Sequence, residues 1–513
     1  KMKNFILLFG LLLFFESCKE TDKQPPNIVL FFVDDLGWQD TSVPFWDKPT
    51  PYNQRYQTPN MERLAAQGVK FTNAYATPVC SPTRVSLMTG MNAARHRVTN
   101  WTLRPDQQQP MEKNHPTLGF PDWNYNGIGL DTGTSNTIHA TPLPQLLSQK
   151  GYHTIHAGKG HFGAIGYPTS NPQKLGFKVN IAGHAAGAPS SYLGKENFGN
   201  GNPDQKVWAV PGLEAYHGKD VFLTEALTLE VLKALSEPLE KEQPFFLYFA
   251  TYAVHTPLKP DDRFVTKYRN QGLEEPEARY ASMIESMDHA LGKILDFIET
   301  KEIANETIVL FMSDNGGLSA VARGDEKHTH NRPLSSGKGS IYEGGIRVPM
   351  LAHWPGVTQG GTTTDYPIII EDFFTSVLEM AEIENPTLVQ EIDGQSFVPI
   401  LKGSAPPTHP LYWHYPNEWG PDGPGIGSFS AVREGDWKLI YFHFDQHFEL
   451  YHLKEDISEL QNLVSIQKEK VNQLVNLLDT YLQGVKAQMP FYKDSKQVIP
   501  YPLKALKAQN DEG

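Results

Sequence analysis

Two pairs of oxygen-bearing side chains stand directly after apolar, β-rich runs of sequence. Asp34 and Asp35 follow "NIVLFFV", and Asp314 and Asn315 follow "TIVLFMS". Carboxylate and amide oxygens suit a hard cation such as Ca²⁺ or Mg²⁺. One such pair is common in turns and helix caps, but two pairs at two strand ends favour a metal site. We expect calcium, with magnesium as the alternative.

A second set of residues could hold an anion or move a proton. Arg84, Lys159 and Lys338 are cations, while His161 and His255 titrate near neutral pH. Any one of them alone is most simply a solvated surface group or a satisfied core histidine. Together they would supply a local positive field in a chain whose formal net charge is −13. That overall charge argues against nucleic acid as a partner.

The two cysteines have different settings. Residues 1–18 carry a basic end and a short apolar run, which predicts a signal peptide. Cys18 follows that run as in a bacterial lipoprotein signal, where it would be lipidated; the alternative is plain secretion, with Cys18 lost with the leader. In both cases the protein is exported, to the periplasm or cell surface, and meets a membrane only through a lipid anchor. Cys80 is then an unpaired cysteine in an exported protein.

The elements that must position these residues alternate along the chain. Apolar runs predict strands over 28–33, 245–250 and 308–312, with a shorter strand in "YHTIHAG", and amphipathic spacing predicts a helix over 278–300. Alternation of this kind predicts an α/β fold whose large, mostly parallel sheet is sandwiched by helices. Ligands of such sheets bind beyond the carboxyl ends of the strands, so the polar clusters should converge there.

The sequence pattern changes near residue 405. From there, alternating apolar and polar residues predict antiparallel strands followed by a helix. We therefore expect a catalytic domain over 27–404 and a smaller C-terminal α+β subdomain with an antiparallel sheet over 405–490. A polar tether over 19–26 would precede them, and an irregular tail over 491–513 would follow.

The stretch "CSPTRVSLMTG", which begins at Cys80, resembles the C-x-P-[ST]-R signature of type I sulfatases, a family of the alkaline phosphatase superfamily. Six further stretches resemble motifs of that family and cover most of residues 27–463: "NIVLFFVDDLG", "GYHTIHAGKGHFG", "VHTP", "FMSDNGG", "GKGSIYEGGIRVP" and "FELYHLKEDISELQNL". One departure is Gly160, where the family usually has tryptophan. We expect an altered pocket wall there.

The resemblance implies that Cys80 is oxidised to formylglycine by a formylglycine-generating or an anaerobic sulfatase-maturating enzyme. The hydrated aldehyde would attack the sulfur of a sulfate ester, and its second hydroxyl would let sulfate leave. The implied metal ligands are Asp34, Asp35, the modified Cys80, Asp314 and Asn315. Arg84 and Lys159 would hold the charge of the diol, and His161 would take its second proton. The residues expected to contact the substrate and its leaving group are His255, Lys338, His184 and His330.

The long loops 97–142 and 180–220 are rich in Asn, His, Trp, Tyr and Gly, a composition that suits sugars. Trp101, Trp123 and Trp208 could stack on a sugar or simply form loop core. We interpret the chain as an exported bacterial sulfatase of a sulfated polysaccharide or oligosaccharide. The alternatives are an arylsulfatase, a phosphonate or phosphodiester hydrolase of the same superfamily, and a non-enzymatic glycan-binding lipoprotein with an unmodified cysteine.

Overall fold

The computed structural model describes residues 24–108, 115–320, 323–324 and 326–512. The predicted signal peptide, Cys18 and most of the predicted tether lie outside the described residues. Among the helices that the structure describes, none is long and apolar enough to cross a membrane.

One large sheet carries most of the fold. Its nine strands, in chain order, are β1 (Asn27–Val33), β2 (Val69–Tyr75), β3 (His153–Gly158), β4 (Val179–Ile181), β5 (Phe245–Ala250), β6 (Thr307–Ser313), β7 (Arg347–His353), β8 (Thr362–Thr364) and β9 (Ile368–Ile369).

The strand order is β8-β2-β7-β6-β1-β5-β3-β4, and β9 also pairs with β2. Only β7 runs against its neighbours; every other pairing in this sheet is parallel. The predicted α/β class and mostly parallel sheet are thus confirmed. Since β1, β3, β5 and β6 all run the same way, their carboxyl ends meet at one edge.

Helices cover both faces of this sheet. Alternate residues of β1 enter two separate apolar cores, one containing Leu30 and the other containing Phe31. The longest helix buries Met283, Met287 and Leu291 at helical spacing, as the sequence predicts. The α-helices are α1 (Pro51–Arg55), α2 (Pro59–Gln67), α3 (Cys80–Thr89), α4 (Ala93–His96), α5 (Leu143–Gln149), α6 (Leu223–Ala234), α7 (Ser236–Glu240), α8 (Val265–Asn270), α9 (Glu275–Thr300), α10 (Glu343–Ile346), α11 (Asp372–Met380), α12 (Val398–Leu401), α13 (Lys468–Gly484) and α14 (Pro502–Glu512).

The C-terminal part forms a second sheet of four antiparallel strands with α13 packed on it. The strands are β10 (Leu411–Tyr415), β11 (Phe429–Glu434), β12 (Trp437–Phe442) and β13 (Phe448–His452). This agrees with the predicted small α+β unit. The tail differs from the prediction: instead of being irregular, it contains α14, whose Ala505 is buried in the same core as Leu474 of α13.

A buried charge cluster joins the second sheet to the first part of the chain. The ammonium of Lys438, on β12, donates to Glu343 Oε1 at 2.9 Å and to Glu459 Oε1 at 2.8 Å, and all three side chains are fully buried. Arg347 donates to the other oxygen of Glu343 at 2.6 Å. Because these partners come from segments far apart in sequence, the cluster holds the segment that carries Lys338 against the C-terminal sheet.

We predict that Lys438→Met, which keeps the side-chain length but removes the charge, lowers the free energy of unfolding by about 3–5 kcal/mol, because two carboxylates then lose a buried partner. Denaturant unfolding checks this. Lys402→Met is the matched control, since Lys402 meets Glu379 at 3.3 Å on the surface, and it should cost about 0–1 kcal/mol. Equal effects of the two substitutions would contradict the role given to the cluster.

Candidate active site

The carboxyl edge of the large sheet brings together the residues that the sequence singles out. Asp34 and Asp35 follow β1, Lys159 and His161 follow β3, His255 follows β5, and Asp314 and Asn315 follow β6. Asp35 (φ 61°) and His161 (φ 62°) have left-handed backbone conformations, which are uncommon outside glycine. Local strain of this kind persists only where surrounding contacts hold it, and it is frequent at functional sites.

Three buried carboxylates at this edge each meet a cation from another segment. Lys159 Nζ lies 2.7 Å from Asp34 Oδ2, and Lys338 Nζ lies 2.6 Å from Asp35 Oδ1. Arg84 contacts Asp314 Oδ2 through Nε at 3.0 Å and Nη2 at 2.8 Å. Since Asp34, Asp35 and Asp314 are almost wholly excluded from solvent, these pairs are needed to offset the cost of burying the charges.

Some oxygens of the same residues are left without partners. Asp34 Oδ1, Asp35 Oδ2 and Asn315 Oδ1 are buried, and no described residue donates a hydrogen bond to them. Buried polar atoms normally have partners, so three orphaned oxygens in neighbouring residues suit the ligands of a cation. Asp314 has both oxygens engaged, by Arg84 and by the Asp35 N–H at 3.2 Å, and remains a predicted ligand.

His255 borders this group of oxygens. Ligand atoms of Asp34, Asp35 and His255 lie within 4.8 Å of one another, and His255 Nε2 is 3.7 Å from Asp35 Oδ2. Two carboxylates and a histidine would also suit zinc. The orphaned amide oxygen of Asn315 favours a hard, oxygen-binding ion instead.

The pKa values of the buried carboxylates Asp34 and Asp35 are shifted in opposite directions. Burial and the neighbouring Asp314 raise the pKa of Asp34 well above its usual value. Burial opposes ionisation of Asp35 too, but Lys338 and His255 outweigh it and hold the pKa of Asp35 well below its usual value. Burial and Lys338 lower the pKa of His255 to about 3. Because a metal ligand must be deprotonated, cation binding here should weaken as the pH falls and Asp34 takes up a proton.

Cys80 is the first residue of α3, and it is buried without a disulfide. Its Sγ lies 3.4 Å from His161 Nδ1, and His161 Nε2 lies 2.7 Å from the carbonyl oxygen of Thr102. A carbonyl only accepts, so Nε2 carries the proton and Nδ1 presents its lone pair to residue 80. Burial and Lys159 keep the pKa of His161 well below its usual value, so the ring is a neutral proton acceptor.

Arg84 is committed to its surroundings more fully than the sequence suggests. Besides Asp314, it donates through Nη1 to the Lys159 carbonyl at 3.0 Å and to the Tyr248 hydroxyl at 3.4 Å. Tyr248 lies inside the apolar strand β5, where no sequence signal marks it. Four of the five guanidinium N–H groups are therefore used to fix the relative positions of α3, β3, β5 and β6.

The loop after β3 explains the unusual Gly160. A Cβ there would lie 2.8 Å from the carbonyl oxygen of His184, and that carbonyl accepts the His161 N–H at 3.1 Å. The His184 backbone therefore occupies the space beside Gly160, and the altered pocket wall remains a prediction. His184 lies next to the site, its Nε2 is buried without a partner among the described residues, and its substrate contact remains a prediction.

Two other candidate residues are His330, whose contacts lie within its own loop, and Trp123, which lies in the core. His330 directs Nε2 to the Gly324 carbonyl at 2.7 Å and Nδ1 to Ser319 Oγ at 3.4 Å. Both ring nitrogens are thus engaged within its own loop, and its substrate contact also remains a prediction. Trp123 is 1% exposed and packs in the core on one face of the sheet.

Sequence reasoning missed a buried network behind the turn that follows β1. Tyr280 of α9 donates to Asp40 Oδ2 at 2.7 Å and to the Asp35 carbonyl at 3.2 Å. Arg323 contacts Asp40 Oδ2 at 3.1 Å and Glu277 at 3.4 Å. The network ties the turn after β1 to α9. Asp40 stands six residues after Asp34 in "DDLGWQD", but nothing in that spacing indicates the distant partners.

The sequence profile of the family described as "Sulfatase" matches residues 26–383. The chain belongs to the sulfatase family. A second profile, "N-sulphoglucosamine sulphohydrolase, C-terminal", matches residues 337–488 of this sulfatase. The protein is a sulfuric ester hydrolase, and the predicted likeness to the alkaline phosphatase superfamily fold is confirmed.

Relatives of this sulfatase cover from about three quarters to nearly all of the chain. A "Sulfatase" of Formosa agariphila is 29% identical over 98% of each chain. Human N-acetylgalactosamine-6-sulfatase is 30% identical over 76% of this chain and 68% of its own length. The crystal structure of Ps i-CgsB in complex with k-i-k-neocarrahexaose has a TM-score of 0.69 and 25% identity, and covers 95% of this chain and 98% of that one.

We predict that Asp35→Asn weakens calcium binding to this sulfatase at least about 10-fold, the lower range seen even when groups that only support a ligand are changed. Titration calorimetry on the metal-free protein measures this without reference to activity. Asp220→Asn, which changes an exposed carboxylate paired with Lys195, is the matched control and should leave the affinity unchanged. Stoichiometric zinc without calcium or magnesium in the purified protein would contradict the hard-cation site.

Proposed function

We propose that this sulfatase is an exported enzyme that removes sulfate from a sulfated carbohydrate, using a formylglycine made from Cys80 and a divalent cation, calcium by preference. The observation that carries the proposal is the setting of Cys80: it begins a ten-residue helix, lies against the proton acceptor His161, and is close enough to Lys159 and Lys338 to interact with their charges. A structural cysteine needs none of these neighbours.

The carbohydrate substrate is supported by what the relatives are named for and bind. The human relative is named for N-acetylgalactosamine 6-sulfate, and the Ps i-CgsB structure contains a carrageenan hexasaccharide. The loops 97–142 and 180–220 of this chain, long and rich in aromatic and amide side chains, suit such ligands.

On the nucleophile side, this chain's own residues can hold charge and accept a proton. The cation would polarise a sulfate oxygen, and the hydrated formylglycine would supply the attacking hydroxyl and the second hydroxyl that releases sulfate. The N-terminus of α3 places its partial positive charge at residue 80. His161 accepts a proton at Nδ1, because Thr102 fixes the proton on Nε2. Lys159 and Arg84 hold the neighbouring carboxylates in place.

On the leaving-group side, a backbone carbonyl likewise fixes the orientation of the His255 ring. Its Nδ1 lies 2.8 Å from the Thr256 carbonyl oxygen, so Nδ1 carries a proton and Nε2 is the nitrogen directed toward the site. With its pKa lowered to about 3, His255 is neutral in the protein alone. The negative charge of a bound sulfate ester beside it favours the protonated form, whose Nε2–H can be given to the departing sugar oxygen. Lys338 stands beside Asp35 and keeps the region positive while that proton leaves.

The proposal is tested by a panel of substrates: N-acetylgalactosamine 6-sulfate, glucosamine 6-sulfate, a carrageenan hexasaccharide, nitrophenyl sulfate and phenyl phosphonate. We expect sulfate release from at least one saccharide with a kcat/KM above that for nitrophenyl sulfate. Cys80→Ser is the control, and we expect it to release no sulfate over repeated turnovers. Phosphonate hydrolysis without sulfate release would favour the alternative enzyme class, and an unmodified, inactive protein would favour the glycan-binding alternative.

We predict that His255→Ala lowers hydrolysis of the sugar sulfate about 100- to 10,000-fold, the usual contribution of a general acid. The loss on nitrophenyl sulfate should be much smaller, since a phenol leaves without protonation. Steady-state rates on both substrates check this, with His447→Ala as the control, because His447 pairs with Asp445 at the surface. Equal losses on both substrates would make His255 a binder of sulfate and not the acid.

A further inference from the structure

Two tryptophans from separate loops meet beside the active site. The rings of Trp101 and Trp208 have centroids 6.4 Å apart at an angle of 44°, and both side chains are partly exposed. Among the residues that the structure describes, this is the only contact between two tryptophan rings. Trp123, by contrast, is almost wholly buried.

Both loops are fastened to the catalytic segment. The Thr102 N–H donates to Ser81 Oγ at 3.1 Å, next to Cys80, and the Thr102 carbonyl accepts from His161. The Trp208 carbonyl accepts the Ser190 N–H at 2.7 Å. Ser190 follows Gly187, where a Cβ would lie 2.3 Å from Cε1 of His161. Three residues span at most about 11 Å, so the backbone of Trp208 is also held near His161.

A third partly exposed tryptophan comes from the C-terminal subdomain. Trp419 packs its ring on Gly339, where a Cβ would lie 2.0 Å from Cε3. The Gly339 N–H donates to the Pro78 carbonyl at 2.8 Å, two residues before Cys80. The loop that carries Trp419 also contacts the loop that carries Trp101, because Asn417 Nδ2 donates to Thr99 Oγ1 at 2.6 Å.

We propose that Trp101, Trp208 and Trp419 form an aromatic rim around the entrance to the Cys80 pocket, and that this rim binds sugar rings next to the sulfated one. The inference rests on the proposed carbohydrate function and adds that the enzyme recognises an oligosaccharide and not only a sulfated monosaccharide. Aromatic faces stack on the apolar faces of sugars, and the indole N–H groups suit their hydroxyls.

The test compares Trp101→Ala, Trp208→Ala and Trp419→Ala on the carrageenan hexasaccharide, on N-acetylgalactosamine 6-sulfate and on nitrophenyl sulfate. We expect kcat/KM for the hexasaccharide to fall on the order of tenfold further than for the two small substrates, mainly through KM. Trp437→Ala is the control, since Trp437 meets His452 of β13 edge-on in the C-terminal sheet, and it should change no ratio between substrates.

Each result decides one claim. A wild-type enzyme that hydrolyses nitrophenyl sulfate but no saccharide overturns the proposed function and the rim with it. A wild-type enzyme active on saccharides whose tryptophan variants lose equally on all substrates overturns the rim alone. If a variant does not fold, the wild-type KM values decide: a hexasaccharide KM no lower than that of the monosaccharide overturns the rim, and a KM on the order of tenfold lower supports it.

Discussion

The structure depends on burying three like charges at one edge of a sheet. Asp34, Asp35 and Asp314 lie together out of solvent. Removing the cation that pairs with one of these buried carboxylates would cost about 3–5 kcal/mol of stability. Lys159, Lys338 and Arg84 each neutralise one of them and come from three different segments. Folding must therefore bring three segments into contact at this edge: the helix of Cys80, the turn after β3 and the loop before α10. The remaining oxygens of these residues are then already oriented for the proposed cation.

Residues at the ends of strands were predictable from the sequence because continuous apolar runs identify the strands. The apolar runs before Asp34 and Asp314 match β1 and β6 to within a residue, and parallel strands align their ends. Tyr248 and Asp40 were not predictable, since their partners are fixed by tertiary contacts. Helix α14 was missed because its few buried positions give little periodicity, although Pro502 at its start is a typical helix signal.

The C-terminal subdomain takes part in the site as well as in stability. The backbone of the Lys338 segment is held from one side by Pro78, beside Cys80, and from the other by the C-terminal loop, where Ile341 N–H donates to the Gly425 carbonyl at 2.9 Å. Lys438 donates to the Ile341 carbonyl at 2.7 Å. The position of Lys338 relative to Asp35 is thus set by two sheets. The stretch "FELYHLKEDISELQNL", which lies beyond residue 404, supplies Glu459 to this arrangement.

The account as a whole rests on the conversion of Cys80. Mass spectrometry of the peptide that contains residue 80, from protein made in cells with a formylglycine-generating or an anaerobic sulfatase-maturating enzyme, measures that conversion directly. The account predicts a mass lower by about 18 Da than that of the cysteine peptide, the difference between a thiol-bearing carbon and an aldehyde. A fully active enzyme in which this peptide has the mass of unmodified cysteine would contradict it.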